Sequence, residues 1–160
     1  MDPDRTRWLD DEEQRAWRSF LRAASAIDEA LDRQLQRDAG MPHAYYQVLA
    51  MLSEAPDRTL RMTGLAAMTN ASLPRLSHVV KRLEQRDLVV RRPCPEDGRA
   101  TNARLTRAGW SKVVDTAPGH VATVRENVID ALTPKQVAQL AEIAGAVLER
   151  IDPDGVMSPR

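Results

Sequence analysis

Cysteine is nearly missing from this chain, which has Cys94 alone among its 160 residues. One thiol excludes an intrachain disulfide and a thiolate-only metal cluster, and a reducing cytosol accommodates it most easily. Long apolar runs are missing as well: nothing approaches the roughly 18 residues of a membrane-spanning helix. The opening stretch MDPDRTRWLDDEEQ carries acids where a secretory signal needs a basic segment followed by an apolar one. The expectation is a soluble cytoplasmic protein with no membrane partner. A surplus of one charge is also lacking, since 23 Lys and Arg stand against 23 Asp and Glu. Total charge therefore gives no pointer to nucleic acid, although its distribution still can.

Signatures of catalysis are equally scarce. No phosphate-binding glycine loop or nucleophile elbow occurs, and His43, His78 and His120 are far apart in sequence, with no pair at metal-ligand spacing on one helix. Neither an enzyme, a cofactor nor a metal is expected.

What is present is helical periodicity. The length suits one compact domain with enough material for a sizeable core. Over residues 10–39, Trp17, Phe20, Leu21, Ala24, Ile27, Leu31 and Leu35 recur at helical spacings, and the AGMP that follows is a stop signal. Trp8, Trp17 and Phe20 read as a packing face in preference to a ligand box. Two short helices are expected at residues 45–53 and 62–68, interrupted by TNAS, and a third at residues 73–86. Ser72 is its N-cap, and Pro74 falls in its first turn, where a missing amide hydrogen is tolerated.

That third helix buries Leu76, Val79, Val80 and Leu83 and leaves Arg75, Ser77, His78, Lys81 and Arg82 outside the apolar stripe. Residues 71–92 hold six basic and two acidic side chains, whereas residues 1–39 hold seven basic and ten acidic ones. A neutral chain thus concentrates positive charge in one place. Two short helices around a tight polar turn, the second exposing small polar and basic residues, suit a helix-turn-helix. Ser77 and His78 can approach base edges, Arg75 a guanine or a phosphate, and Lys81 and Arg82 phosphates. A merely solvated amphipathic helix is the alternative, and it leaves the flanking elements without a reason.

Behind the helix, LVVRRPCPEDGRATNARLT reads as two short strands around an EDG turn, with Pro93 and Pro95 arguing against a central strand. Such a wing carries Arg99 toward a minor groove or its phosphates, while Asp97 organises the turn through charge-assisted hydrogen bonds to Arg99 or nearby amides. Thr106 is the expected cap of a helix weakened at APGH, residues 117–120. LTPKQ then restarts the chain with Thr133 as N-cap, and DPDGVMSPR is expected to fray. The terminal helices are more apolar than a small winged lobe requires, which points to a two-fold dimer, with packing onto the winged lobe of a monomer as the alternative.

Residues 65–109, LAAMTNASLPRLSHVVKRLEQRDLVVRRPCPEDGRATNARLTRAG, resemble the winged helix-turn-helix core of the MarR family of bacterial transcriptional regulators. The shared features, in family order, are the pre-turn helix, the RLE ending, the LV strand, the Asp-x-Arg wing and LT-x-x-G. The resemblance implies a mainly α fold with a small β-wing, flanked by long N- and C-terminal dimerisation helices. One domain over residues 1–160 would hold a DNA-binding lobe at 43–105 and dimerisation helices at 10–39 and 107–152. It implies a homodimer on a pseudo-palindromic double-stranded operator, usually a repressor, often released by a small aromatic or phenolic effector. Carried over residue by residue, it assigns DNA contacts to Ser72, Arg75, Ser77, His78, Lys81, Arg82, Asp97 and Arg99. Trp17, His43, Tyr45, Tyr46 and Met62 become candidates for the effector cleft, against ordinary packing.

Two departures bear on this. Asp87 stands where the family usually has a glycine in left-handed conformation, which Asp adopts at smaller cost than most residues. Oxidation-sensing members have a reactive cysteine near the N-terminal helices, whereas Cys94 is at the wing base, where Arg91 or Arg92 could lower its pKa if close. A redox-responsive regulator using Cys94, and a dimeric adaptor that does not bind DNA, are the alternative functions.

Overall fold

Asp10 starts the first helix through a capping box: its carboxylate accepts the Glu13 main-chain N–H at 2.8 Å, and Glu13 reaches back to the Asp10 N–H at 3.0 Å. In the computed structural model, which describes residues 6–95, 97–153 and 155, this helix α1 runs over Asp11–Ala39 and ends on Gly40, whose φ of 65° is the left-handed conformation that glycine adopts freely. There follow α2 (His43–Glu54), a single 3₁₀ turn (Pro56–Arg58), β1 (Thr59–Arg61), α3 (Met62–Met68), α4 (Leu73–Glu84), β2 (Val89–Cys94), β3 (Asp97–Leu105), α5 (Arg107–Val124), a π turn (Arg125–Ile129) and α6 (Pro134–Ile151). The fold is mainly α with a three-stranded wing sheet and long flanking helices.

The strands are antiparallel in the order β1-β3-β2. Because β2 lies at the edge, Pro93 is accommodated within it, and the ladder becomes irregular between Pro93 and Cys94. β1 was not foreseen, since three residues are too short to show an alternation. Of the expected EDG turn, Glu96 lies outside the described residues, as do residues 154 and 156–160 of the expected frayed tail.

The core gathers Leu35 from the end of α1, Met41 just beyond it, Leu49 and Leu52 of α2, Leu65 of α3, Leu76, Val80 and Leu83 of α4 and the inward side of the sheet. Removing one such buried leucine costs about 2–5 kcal/mol. The sheet is locked to α5 at Gly109, where an added Cβ would fall 2.1 Å from the Leu88 carbonyl oxygen. Thr106 caps α5 by accepting from the Gly109 N–H at 2.9 Å. APGH does not break this helix: α5 continues through Pro118, whose missing bond falls at the exposed Val114, and the irregularity comes later, as the π turn. Thr133 and Gln136 form the capping box expected at the start of α6.

The expected packing face of α1 finds no cover among the described residues. Trp8, Trp17 and Phe20 are 79%, 52% and 55% exposed, and Trp17 and Phe20 stack on each other at 6.4 Å. Leu140, Ile143, Val147, Leu148 and Ile151 of α6 are exposed too, and α6 buries none of its residues. Among the described residues, no helix is long and apolar enough to cross a membrane.

Candidate nucleic-acid interface

The link from α3 to α4 is a hydrogen-bonded turn. The Thr69 hydroxyl donates to the Leu65 carbonyl at 2.7 Å, the Ala71 N–H donates to the Ala66 carbonyl at 2.9 Å, and Asn70 takes a left-handed φ of 47°. Asn enters that region at lower cost than most residues because its short amide side chain can bond locally. Ser72 then caps α4, accepting from the Arg75 N–H at 3.4 Å, and Pro74 occupies the first turn. With Leu76, Val79, Val80 and Leu83 buried, helical geometry turns Arg75, His78, Lys81 and Arg82 outward, and all four are exposed, as is Ser72.

Ser77 stands apart from that row. It is half-buried, and its hydroxyl accepts from Arg91 Nη1 at 3.4 Å, so it faces the wing. Two of the six basic residues of the segment serve the fold itself. Arg86 donates to the Gly40 carbonyl at 3.1 Å, and Arg91 pairs with Glu84 at 2.7 Å. Burial alone would raise the Glu84 pKa; the side-chain and main-chain hydrogen bonds from Arg91 outweigh it and hold the carboxyl below its ordinary range.

On the wing, Asp97 accepts the Arg99 main-chain N–H at 3.1 Å, and its other oxygen lies 3.8 Å from Arg61. The Arg99 side chain is left exposed. Between α4 and the wing lies a cleft of about 310 Å³, lined by Arg61, Arg91 and Arg99 with Met62, Leu73 and Ser77. A second cleft of about 270 Å³ separates the middle of α1 from the helix-turn-helix, with Asp28, Asp32 and His43 on one side and Asn70, Arg75 and Leu76 on the other.

The five candidates for an effector cleft do not share one cavity. His43 lines the cleft beside α1, where its Nδ1 lies 2.7 Å from Asp28 and its main-chain N–H donates to Asp32 at 2.8 Å. The main-chain bond foremost, and then the side-chain hydrogen bond from Gln36, lower the Asp32 pKa. Met62 lines the other cleft. Tyr46 is buried in the core, which raises its pKa, and Tyr45 packs against that core. Trp17 is out on the exposed part of α1.

Histidines distant in sequence do approach each other. His43 and His120 have ring centroids 6.0 Å apart, and His120 lies 4.7 Å from the Tyr46 ring. Burial first, and then the charge of His43, lower the His120 pKa. Among the described residues there is no group of three or more His, Cys, Asp or Glu that could hold a metal ion. Cys94 is buried, and Arg61 Nη2 lies 3.6 Å from its Sγ. The cation of Arg91 is committed to Glu84, and it is Arg61 that brings a cation to the thiol, which spacing along the chain could not reveal.

The MarR family profile matches residues 39–100. The crystal structure of Sco3205, a MarR family transcriptional regulator from Streptomyces coelicolor in complex with DNA, is 49% identical and superposes with a TM-score of 0.88 over 98% of each chain. AbsC, a MarR family transcriptional regulator of the same organism, is 38% identical, with a TM-score of 0.84 over 91% of this chain and 98% of its own. The HTH-type transcriptional regulator MhqR of Bacillus subtilis is 27% identical over 122 residues, 76% of this chain and 81% of that protein.

Proposed function

The chain belongs to the MarR family of winged helix-turn-helix transcriptional regulators, and from that premise we propose that it acts as a homodimer on a pseudo-palindromic duplex operator, repressing transcription until a small effector binds. As a member it is a DNA-binding regulator and not an enzyme. Its work is at the DNA, so the cytoplasm is its proposed location. The observation that carries the reading is the uncovered row of Arg75, His78, Lys81 and Arg82 on α4, with Arg99 beside it on the wing.

In this reading residues 43–105 are the DNA-binding lobe, and residues 10–39 and 107–152 are the dimerisation region. His78 and Arg75 face base edges in the major groove, with Ser72 at the helix start. Lys81 and Arg82 take phosphates, and Arg99 enters the adjacent minor groove. Asp97 shapes the turn that presents Arg99, and Ser77 holds the wing to α4 through Arg91. The exposed faces of α1 and α6 meet their two-fold mates and space two α4 helices by about 34 Å, one turn of duplex.

The effector site best supported is the cleft between α4 and the wing. An apolar lining of Met62 and Leu73 beside the exposed guanidinium of Arg99 suits a small aromatic carboxylate or phenolate. Seated there, such an anion alters the relation of wing to helix only to the extent that it binds the two arrangements unequally. The test is selection of bound duplexes from fragmented source DNA near physiological salt, repeated with benzoate- and phenol-class compounds. One preferred, two-fold symmetric sequence is expected, with release by some of these compounds; recovery of no preferred sequence would overturn the reading.

A further inference from the structure

On the outer face of the wing sheet, turned away from α4, four arginines border one cleft of about 340 Å³: Arg58 at the end of the 3₁₀ turn, Arg92 on β2, Arg104 on β3 and Arg107 at the start of α5. The ladder explains the grouping. Arg92 pairs with Asn102 and Val90 pairs with Arg104, so Arg92 and Arg104 are two rungs apart on the same face, about 7 Å along the strand. Thr59 pairs with Arg104 from the other side, which brings Arg58 next to it. Among the described residues, Asp57 is the lone acid bordering this cleft.

Three observations set this cluster apart from ordinary solvated surface. Among the described residues, none of the four guanidiniums has an ion-pair partner, although acids are as numerous as bases in the whole chain. Arg58 is held in place: its guanidinium lies 3.8 Å from the centre of the Trp110 ring, and consecutive left-handed residues, Asp57 at φ 51° and Arg58 at φ 54°, turn the chain to put it there. The left-handed conformation is strained in a non-glycine residue. Arg107 occupies the first position of α5, where the helix dipole disfavours a cation, and the first turn contains no acid. Uncompensated like charge, local strain and an unfavourable helix position at one place all cost stability, and a polyanion bound there would offset that cost.

We propose that this cleft is a second DNA contact, binding backbone phosphates of the duplex that flanks the operator beyond the wing. The inference rests on the operator-binding reading above and adds to it a sequence-independent grip at the outer end of each half-site. The geometry keeps the two contacts separate. Arg99 and Arg104 are five residues apart on β3, about 17 Å of extended strand, so the cleft lies at the base of the wing and not at its tip.

The test uses the full chain and the duplex recovered by selection, in two forms: trimmed to the symmetric core, and extended by 10 base pairs of random sequence at each end. Wild type is expected to bind the extended duplex about tenfold more tightly, with a steeper dependence on salt. Arg92→Ala and Arg104→Ala, both at exposed positions, should keep core-duplex affinity and melting temperature while losing the gain from the flanks. Each should lower the salt slope on the extended duplex by about 1. Equal affinity of wild type for both duplexes overturns the second contact and leaves the operator reading intact. Equal losses on both duplexes for the variants also overturn it, by making these arginines part of the core contact. Failure of wild type to bind the core duplex would instead remove the operator reading itself.

Discussion

The carboxylate of Glu84 holds Arg91 three times over, accepting its main-chain N–H at 2.9 Å and its Nε at 2.8 Å while Nη2 pairs at 2.7 Å. One residue thereby fastens the last turn of α4 to strand β2. The angle between reading helix and wing is set at this clasp.

Glu84→Gln keeps the size of the side chain and removes the charge. Both partners are about 30% exposed, with side-chain exposures of 32% and 28%, so solvent screens part of the interaction. The expected loss is about 1–2 kcal/mol at pH 7, read by chemical denaturation. Because the folded pKa of Glu84 is lowered, its contribution is present above the ordinary carboxyl value of 4.5 and disappears as pH falls through the folded value. Wild type and variant should therefore converge in stability on acidification. A gap that persists at the acid limit would locate the effect elsewhere.

Asp87 has a φ of 56°, the left-handed conformation in which the family usually has glycine. The Asp87 N–H donates to the Glu84 carbonyl, and the Thr106 hydroxyl donates to the Asp87 carbonyl, so the main chain here is tied down. Asp87→Gly should stabilise by up to about 1 kcal/mol and Asp87→Val should destabilise by about 1–2 kcal/mol. Thermal melts of the two variants in opposite directions are the check; a Val variant as stable as wild type would contradict the strain.

The left-handed turn at Asp87 was legible through the family resemblance, which sets Asp87 against a glycine. The α3–α4 pair, the caps Ser72, Thr106 and Thr133 and the buried stripe of α4 were legible because each depends on neighbours within four residues. What depended on distant residues was not legible. The pairing of Arg61 with Cys94, the approach of His43 to His120 and the seat of Arg58 on Trp110 arise only once strands and helices are packed. Ser77 was read as outward-facing because periodicity gives direction relative to a helix axis; the wing that covers it comes from residues 14 positions later.

Arg99→Ala and His78→Ala should separate two kinds of DNA contact. Arg99 is exposed on the wing with its main-chain N–H held by Asp97, so losing its guanidinium should weaken operator binding and reduce the salt slope by about 1. His78 projects from the exposed face of α4, and its loss should fall on preference for operator over random duplex, by about 1–3 kcal/mol for a good base contact. Titrations at several ionic strengths read both effects. An unchanged slope for the Arg99 variant would count against the wing contact.

His120 is packed against Tyr46 and His43 at the junction of α1, α2 and α5, and its Nδ1 has no hydrogen-bond partner among the described residues. Its folded pKa is lowered from 6.5, by burial foremost, so below 6.5 the unfolded chain takes up a proton that the folded ring does not. The stability tied to the neutral ring is then present above pH 6.5 and is lost as pH falls from there through the folded value. His120→Phe removes both the titration and the unpaired nitrogen. Melting temperatures at pH 5 and pH 7.5 should draw closer together in the variant than in wild type; an unaltered difference would assign the pH dependence to other groups.

The bare apolar faces carry the last prediction. Phe20 and Leu21 on α1, with Ile143, Val147 and Ile151 on α6, are all at least 44% exposed in the single chain. Burying a side chain of this size contributes about 1.5–3 kcal/mol, so a two-fold interface built from both helices is strong enough to hold at micromolar concentration once the cost of association is met. Ile143→Glu places a charge in that interface twice, once from each copy, and should shift the protein to monomer by sedimentation equilibrium. Ile143→Ala removes area without adding charge and should weaken the dimer by a smaller factor. Neither change touches the core of the winged lobe, since Ile143 is 61% exposed, so the monomer should remain folded and bind a single half-site with much lower affinity than the dimer binds the full operator. A wild-type chain that sediments as a monomer at tens of micromolar would remove the two-fold arrangement, and with it the reason for a symmetric operator.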